Sequence, residues 1–361
     1  MEDMERLDIY NGKRVLVTGH TGFKGSWLSI WLNKLGAKVI GVSLPKYDND
    51  YVFHKTELRK LLYADEKADI NNYENLKKIF DKYQPEIVFH LAAQPLVRLS
   101  YDYPLDTLNT NIIGTANVLD CIKNTPSVKA AVMITTDKCY KNKEHMEPYK
   151  EEDELGGRDP YSCSKACAEL IIDCYRKSFF QHSEKLIASA RAGNVIGGGD
   201  FGKDRLVPDC IRALINKREI EVRNPDAVRP WQFVLDPLYG YLLVGKRMIE
   251  GKKEFAEAWN FGPEQSSVVP VSKVLDLVLK NWGSGKSKYT KNPAEKKHEA
   301  KLLNLNINKA KNKLGWMPKF TIEKTIKYTI EWYKESQKLS SDKLLDLCIK
   351  QIDEFICLHH Q

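Results

Sequence analysis

Apolar and polar positions fall in blocks whose lengths separate strands from helices. Residues 13–18, Lys-Arg-Val-Leu-Val-Thr, form a short apolar run of buried-strand length. A turn with glycine at every third place follows, and then Ser26-Trp27-Leu28-Ser29-Ile30-Trp31-Leu32, whose apolar residues fall at helical spacing. The pattern predicts further strands over 38–44, closing at Asp69-Ile70, over 86–94, over 130–134 and over 186–191. It predicts a long helix over 105–123 and another beginning at Pro160, with Asp159 as N-cap. This alternation predicts an α/β fold built on a doubly wound parallel sheet. Beyond Gly197 the pattern changes. A glycine loop over 198–202, a helix over 207–217 and a short strand over 219–222 come first. Residues 266–270 open a helix running through Leu279, residues 283–300 read as a lysine-rich surface loop, and 344–356 read as a terminal helix.

Composition narrows the class. A chain of 361 residues with 42% hydrophobic and 29% charged positions is in the ordinary globular range. The first ten residues hold no apolar run, so no signal peptide is expected, and no stretch approaches the ~18 apolar residues of a membrane span. The eight cysteines form no Cys-x-x-Cys pair and no zinc-spaced cluster, so no metal site is expected and a reducing, cytoplasmic setting is. Cys163, Cys167 and Cys174 sit at helical spacing and read as small core residues. The net charge of +8 is mostly scattered lysine, but Arg191, Arg205, Arg212, Arg218, Arg223 and Arg229 cluster. Arginine's planar fork suits phosphate, and no aromatic residues interleave as in a nucleic-acid platform. A small phosphorylated ligand is expected, with neither nucleic acid nor membrane as partner.

Two constellations carry candidate chemistry. In Gly19-His20-Thr21-Gly22-Phe23-Lys24-Gly25, strand, glycine turn and helix make the setting of a dinucleotide fingerprint. Gly19 permits the turn, Gly22 lets a pyrophosphate approach, and Gly25 lets helix pack on strand. Ser43 and Leu44 end the second strand where an acidic residue is usual, and Asp69-Ile70 would border the adenine; NAD is favoured over NADP. Leu91, Ala92, Ala93 and Gln94 end a strand in small residues that let a cofactor lie across it. His90 reads as a core histidine, and Trp231 reads equally as core or as ligand platform. The second constellation is Tyr161-x-x-x-Lys165, one helical turn apart. A lysine cation near a phenol is expected to lower its pKa from about 10, making it a base for an alcohol that is losing hydride. Gly19, Ala93, Thr136 and Arg191 all lie at carboxyl ends of predicted strands, so these motifs converge on one crevice.

The glycine turn, Leu91-Ala92-Ala93-Gln94, Tyr161-x-x-x-Lys165 and Arg191-x-Gly193-Asn194 resemble the extended short-chain dehydrogenase/reductase superfamily. Gly19 to Leu28, Gln94-Pro95-Leu96-Val97-Arg98, Thr135-Thr136-Asp137-Lys138-Cys139-Tyr140 and Arg229-Pro230-Trp231-Gln232 resemble, within it, the CDP-glucose 4,6-dehydratases. The likeness runs from about Asn11 to about Trp332; Phe233 stands where the family pattern has histidine. It implies a Rossmann domain over 1–196 and 230–264, a smaller, discontinuous C-terminal α/β lobe over 197–229 and 265–335 for a nucleotide sugar, and a helical tail over 336–361. It implies NAD as cofactor, held by Gly19 to Gly25, Ser43, Leu44, Asp69, Ile70, Leu91 to Gln94, Asn111, Thr135, Tyr161, Lys165 and Arg191. Gln94, Arg98, Asn194, Lys203, Arg205, Leu206, Arg223, Arg229 and Trp231 would hold the substrate. A homodimer or dimer of dimers through the helices at 105–123 and 161–177 is also implied.

The reaction implied is an internal redox cycle serving deoxysugar and surface-polysaccharide synthesis. Tyr161, helped by Lys165, takes the sugar 4-hydroxyl proton while C4 gives hydride to NAD. Thr136 bonds the 4-oxygen, the C5 proton and the 6-hydroxyl leave, and hydride returns to C6. Elimination falls to Asp137 and Lys138, where dTDP-glucose relatives have Asp-Glu. Either Lys138 acts neutral as the C5 base with Asp137 protonated, the pair titrating jointly, or it stays cationic and stabilises the enolate. Alternatives are a 4,6-dehydratase of a dTDP-, GDP- or UDP-hexose, a nucleotide-sugar 4-epimerase or dehydrogenase, and a non-catalytic NAD sensor.

Overall fold

The computed structural model describes residues 7–45, 52–145, 147–222, 224–289 and 302–359. Seven strands form its central sheet: β1 (Arg14–Thr18), β2 (Lys38–Ser43), β3 (Ala64–Lys67), β4 (Ile87–His90), β5 (Ala130–Ile134), β6 (Leu186–Ala192) and β7 (Ala258–Phe261). They lie in the order β7-β6-β5-β4-β1-β2-β3, every pair parallel. Strand order reverses between β1 and β4, and a crevice opens at such a point. Helices cover both faces, so the inner strands are mostly apolar: β5 is buried at every position, whereas edge strand β3, Ala-Asp-Glu-Lys, is half-buried. Successive residues face opposite cores. Val15, Val17 and Val132 pack with Trp27 and Trp31, whereas Leu16, Ala131 and Met133 pack with Leu76, Phe80 and Ile122. The expected doubly wound α/β sheet is present.

Several boundaries differ from the pattern-based reading. The third strand ends at Lys67, before Asp69-Ile70, and the fourth at His90, before its small residues. The helix expected over 105–123 is broken into Pro104–Leu108 and Gly114–Asn124 by a π turn at Asn109–Ile113. One extra residue in that turn carries Asn111 inward, where it bonds Ser164 and Gln94. The helix expected from 266 starts at Val271, because Val268–Pro270 instead pairs antiparallel with Val228–Pro230. β-branched valines before a proline favour the extended chain. Part of the expected loop over 283–300 is also strand: Ser287–Tyr289 pairs with Ile220–Val222, and its last residues lie outside those described.

The terminal helix is longer than expected, Ser341–His359, and packs on this same chain. Phe355 meets Trp31 edge-on at 5.7 Å, and Lys34 pairs with Asp353 at 2.8 Å. The cysteine reading is corrected. Cys163 and Cys174 are exposed and Cys167 is half-buried, in line with exposed Leu170 on the outer side of the Pro160–Tyr175 helix. Cysteine at helical spacing marks a face, and here that face points away from the sheet. All eight cysteines are unbridged. Among the described residues, no helix is long and apolar enough to cross a membrane.

Phe233 lies in the core, stacked on Phe320 with ring centroids 4.5 Å apart. Nearby Asp236 is enclosed; its Oδ1 accepts from the Lys319 backbone, and Oδ2 has no hydrogen-bond partner. Burial lifts its pKa to about 7, against backbone donors from Lys319 and Phe320. A carboxyl whose folded pKa lies above its unfolded value stabilises the fold below about pH 4, and that contribution drains away as pH rises to about 7. The loss is on the order of 4 kcal/mol. Asp236→Asn keeps the acceptor and cannot ionise, so its melting temperature should exceed the parent's at pH 8 and match it near pH 4. Thermal melts at both pH values check this.

Candidate active site

A cavity of about 2010 Å³ opens beside the carboxyl ends of the strands. Thr135, Thr136, Lys138, Tyr161, Phe23 and Lys24 line it from the sheet side. Arg98, Asn194, Lys203, Arg205, Leu206, Arg229 and Trp231 line the rest, so residues far apart in sequence meet there. Arg223 lies outside the described residues. Trp231 is both a cavity wall and nearly buried, its Nε1 donating to Val269 O at 3.1 Å.

The Tyr161 helix starts as its sequence dictates. Asp159 accepts from Ser162 N at 2.9 Å, and Pro160 takes the first helical place. Ser164 Oγ bonds Tyr161 O and also receives Asn111 Nδ2 at 2.8 Å, tying this helix to the π turn. Thr136 caps the turn after β5, and its Oγ1 donates to Asp137 Oδ1 at 2.9 Å. Lys138 Nζ lies 3.4 Å from the same oxygen. Asp137 is fully enclosed behind them, with Oδ2 unpartnered, and does not itself line the cavity.

Electrostatics here departs from the simple expectation for Tyr161. Burial raises its phenol to about 12; a Thr136 hydrogen bond lowers it, and Asp137 raises it again. Desolvation therefore outweighs Thr136 and the nearby Arg205 cation. Burial also brings Lys165 down to about 8, against Glu169 and Cys139. Lys24 falls to about 7 through burial and through Lys165, Arg205 and Lys138, with Asp137 opposing. Cations thus outnumber the carboxylate, an arrangement that favours an anionic ligand.

The glycine turn fits a dinucleotide. Gly19 has φ +73°, and a Cβ there would meet Ala92 N at 2.7 Å. A Cβ on Gly25 would lie 2.1 Å from Gly19 O. Gly22 is the N-cap of the Phe23–Lys34 helix, whose amide end faces the place a pyrophosphate would take. Leu91 and Ala92 N–H groups are held by Thr18 Oγ1, and Ser43 Oγ is buried without a partner. His90 is the core histidine expected: it bonds Thr18 at 2.7 Å and Thr115 at 3.1 Å, and burial lowers its pKa to about 3.

Three expectations are redirected. Arg191 is turned inward, with Nη2 on Glu169 at 2.8 Å and Nη1 on Tyr140 at 2.7 Å, because a buried guanidinium needs a buried counter-charge. Gln94 spends its amide on Leu96 and Thr107, bracing its own loop. The absent acid after β2 has a neighbour on β3: Asp65 pairs with His20 at 2.9 Å and Lys67 at 2.7 Å. Burial would raise Asp65, but those partners hold it down to about 2. Asp65 and Glu169 were missed by pattern reading. Glu169, four residues beyond Lys165, was open to the same spacing argument that singled out Tyr161.

Residues 16–329 match the family model described as GDP-mannose 4,6 dehydratase. A CDP-glucose 4,6-dehydratase from Salmonella typhimurium is 44% identical over 333 residues, covering 91% of this chain and 92% of that protein. A human dTDP-D-glucose 4,6-dehydratase is 27% identical, covering 90% and 91%. Among solved structures, a dTDP-glucose 4,6-dehydratase from Bacillus anthracis, in complex with NAD, superposes with TM-score 0.76 at 23% identity, covering 92% of this chain and all of that one. With its sheet order, its glycine turn and this extent of likeness, the chain belongs to the GDP-mannose 4,6 dehydratase family.

Proposed function

We propose that this protein is a nucleotide-sugar 4,6-dehydratase whose substrate is CDP-glucose, converted to CDP-4-dehydro-6-deoxyglucose and water. One observation carries the reading: Thr136, Lys138 and Tyr161 share a cavity with Arg98, Arg205 and Arg229, an acid–base group beside cations suited to a diphosphate. The 44% identity to a CDP-glucose enzyme supports the choice of base. Gly19, Gly22 and Gly25 would hold the pyrophosphate of NAD, with Leu91, Ala92 and Ala93 beneath it. Bound NAD would supply the acceptor for the C4 hydride and its donor to C6.

The chain's own residues handle protons and position. Thr136 bonds the sugar 4-oxygen, and Tyr161 takes its proton. A phenol near 12 needs added positive charge to do so at neutral pH; Arg205 supplies part of it, and Lys165, one helical turn away, would add to it. Neutral Lys138 takes the C5 proton while protonated Asp137 passes its proton through Thr136 to the 6-hydroxyl, which leaves as water; Lys138 then returns a proton to C5 as C6 is reduced, and the proton that Tyr161 took restores Asp137. The product belongs to deoxysugar synthesis. Unbridged cysteines support a reducing, cytoplasmic setting. Exposed Leu105, Ile113 and Leu170 beside half-buried Cys167 support a homodimer through these helices.

Incubation with CDP-, dTDP-, UDP- and GDP-hexoses in heavy water tests the proposal. CDP-glucose should give a 4-keto-6-deoxy product carrying deuterium at C5. A C4 epimer without loss of water, or stoichiometric NADH release, would overturn it.

A further inference from the structure

We propose that Glu169 is a positioning residue for the redox half of the reaction: clamped by Thr135, Ser189 and Arg191, it sets a fixed negative charge one helical turn beyond Lys165 on the same helical face. The inference rests on the dehydratase reading above. Glu169 is enclosed, and the cavity wall on its helix stops at Tyr161 and Ser162, so it touches no ligand. Both of its carboxylate oxygens are bonded. Thr135 Oγ1, at the end of β5, donates to Oε1. Ser189 Oγ and Arg191 Nη2, both on β6, meet Oε2 at 2.8 Å. Arg191 is held in turn by Tyr140 Oη at 2.7 Å and Glu151 O at 2.9 Å, and Tyr140 Oη donates to Asn260 on β7.

Two neighbouring strands, β5 through Thr135 and β6 through Ser189 and Arg191, therefore hold one carboxylate directly, and β7 braces it through Tyr140 and Arg191. Positions four apart share a helical face, so this clamp sits on the face that carries Lys165. Burial would protonate Glu169, but Arg191, Thr135 and Ser189 hold its pKa down, and it stays an anion. For Lys165 the balance is the reverse: burial pulls towards the neutral amine, and Glu169 leads the opposing groups. The other groups facing Lys165 are Cys139 after β5, Lys24 on the first helix and His90 on β4. Those facing Glu169 are Arg191, Cys139 and, past the helix end, Arg176. A neutral Lys165 could no longer favour the Tyr161 phenolate, so removing the Glu169 charge should cut turnover on the alkaline side.

The test is the pH profile of CDP-glucose turnover for the parent, Glu169→Gln, Glu169→Asp and the double variant Glu169→Gln/Arg191→Gln. The double variant leaves no buried guanidinium without a counter-charge and guards against misfolding of the single one. In both charge-removing variants the basic limb of kcat should move down by about one pH unit, with kcat at pH 8 falling roughly ten-fold and KM within two-fold. Glu169→Asp should restore the parental limb. Basic limbs that coincide with the parent's, or a loss that is equal at every pH, would overturn the proposal. A parent that does not turn over CDP-glucose would instead defeat the dehydratase reading.

Discussion

Replacing Lys138 by methionine is expected to stop exchange of the sugar C5 proton with solvent deuterium while hydride still leaves C4. The reduced cofactor and the 4-keto sugar should then accumulate, with turnover to the deoxy product falling by roughly 10²- to 10⁴-fold. Methionine keeps most of the length and apolar contact of the lysine and removes the amine. Lys138 lies on the cavity wall, its side chain 31% exposed and its Nζ 3.4 Å from an enclosed carboxylate. That closeness suits the proposed passage of a proton between Lys138 and Asp137, and the exposure of Lys138 suits exchange with solvent. If Lys138 acts only as a cation stabilising the enolate, exchange will slow yet persist. Exchange at the parental rate would remove Lys138 from the C5 step altogether. Mass spectrometry of recovered sugar, alongside absorbance of reduced cofactor, separates the three outcomes.

Gly193→Ala should be nearly as damaging although this residue bears no chemistry. A Cβ at 193 would stand 1.9 Å from Asp137 Oδ2 and 2.1 Å from its Cγ, so the carboxylate must swing away. The backbone cannot yield instead, because Gly193 O accepts Gln232 Nε2 at 2.9 Å and that same amide also holds Phe261 O at 3.0 Å. Displacing Asp137 breaks its bonds to Thr136 and Lys138 together. We expect kcat to fall by about 10²-fold or more with KM little changed, since the cavity arginines proposed to meet the diphosphate are untouched. Melting temperature should fall by several degrees through overpacking. Steady-state kinetics and a thermal melt check both; kcat within two-fold of the parent would show that Asp137 has room elsewhere and is not held by this glycine.

Local pattern alone was enough for the elements whose cause is local. The strand–glycine turn–helix unit at 14–34 follows from an apolar run, glycines at 19 and 25 where no Cβ fits and an apolar helix start that is buried almost all round. The Tyr161 helix begins where Asp159 and Pro160 say it should, because an N-cap acts only on its own first turn. Spacing brought Tyr161 and Lys165 to one helical face, and the carboxyl-end rule brought Thr136 near them. Charge and orientation were decided by tertiary structure. Burial, which no short window of sequence reports, turned the phenol of Tyr161 upward instead of downward. Arg191 looks like an anion ligand in the chain, yet Glu169 and Tyr140 from other elements claim it. Cys163 and Cys174 look like core and face outward, because periodicity marks a stripe without saying which side meets the sheet. The amino-acid order settled which elements form and which chemistry they carry; packing settled each side chain's direction and protonation, since both depend on neighbours distant along the chain.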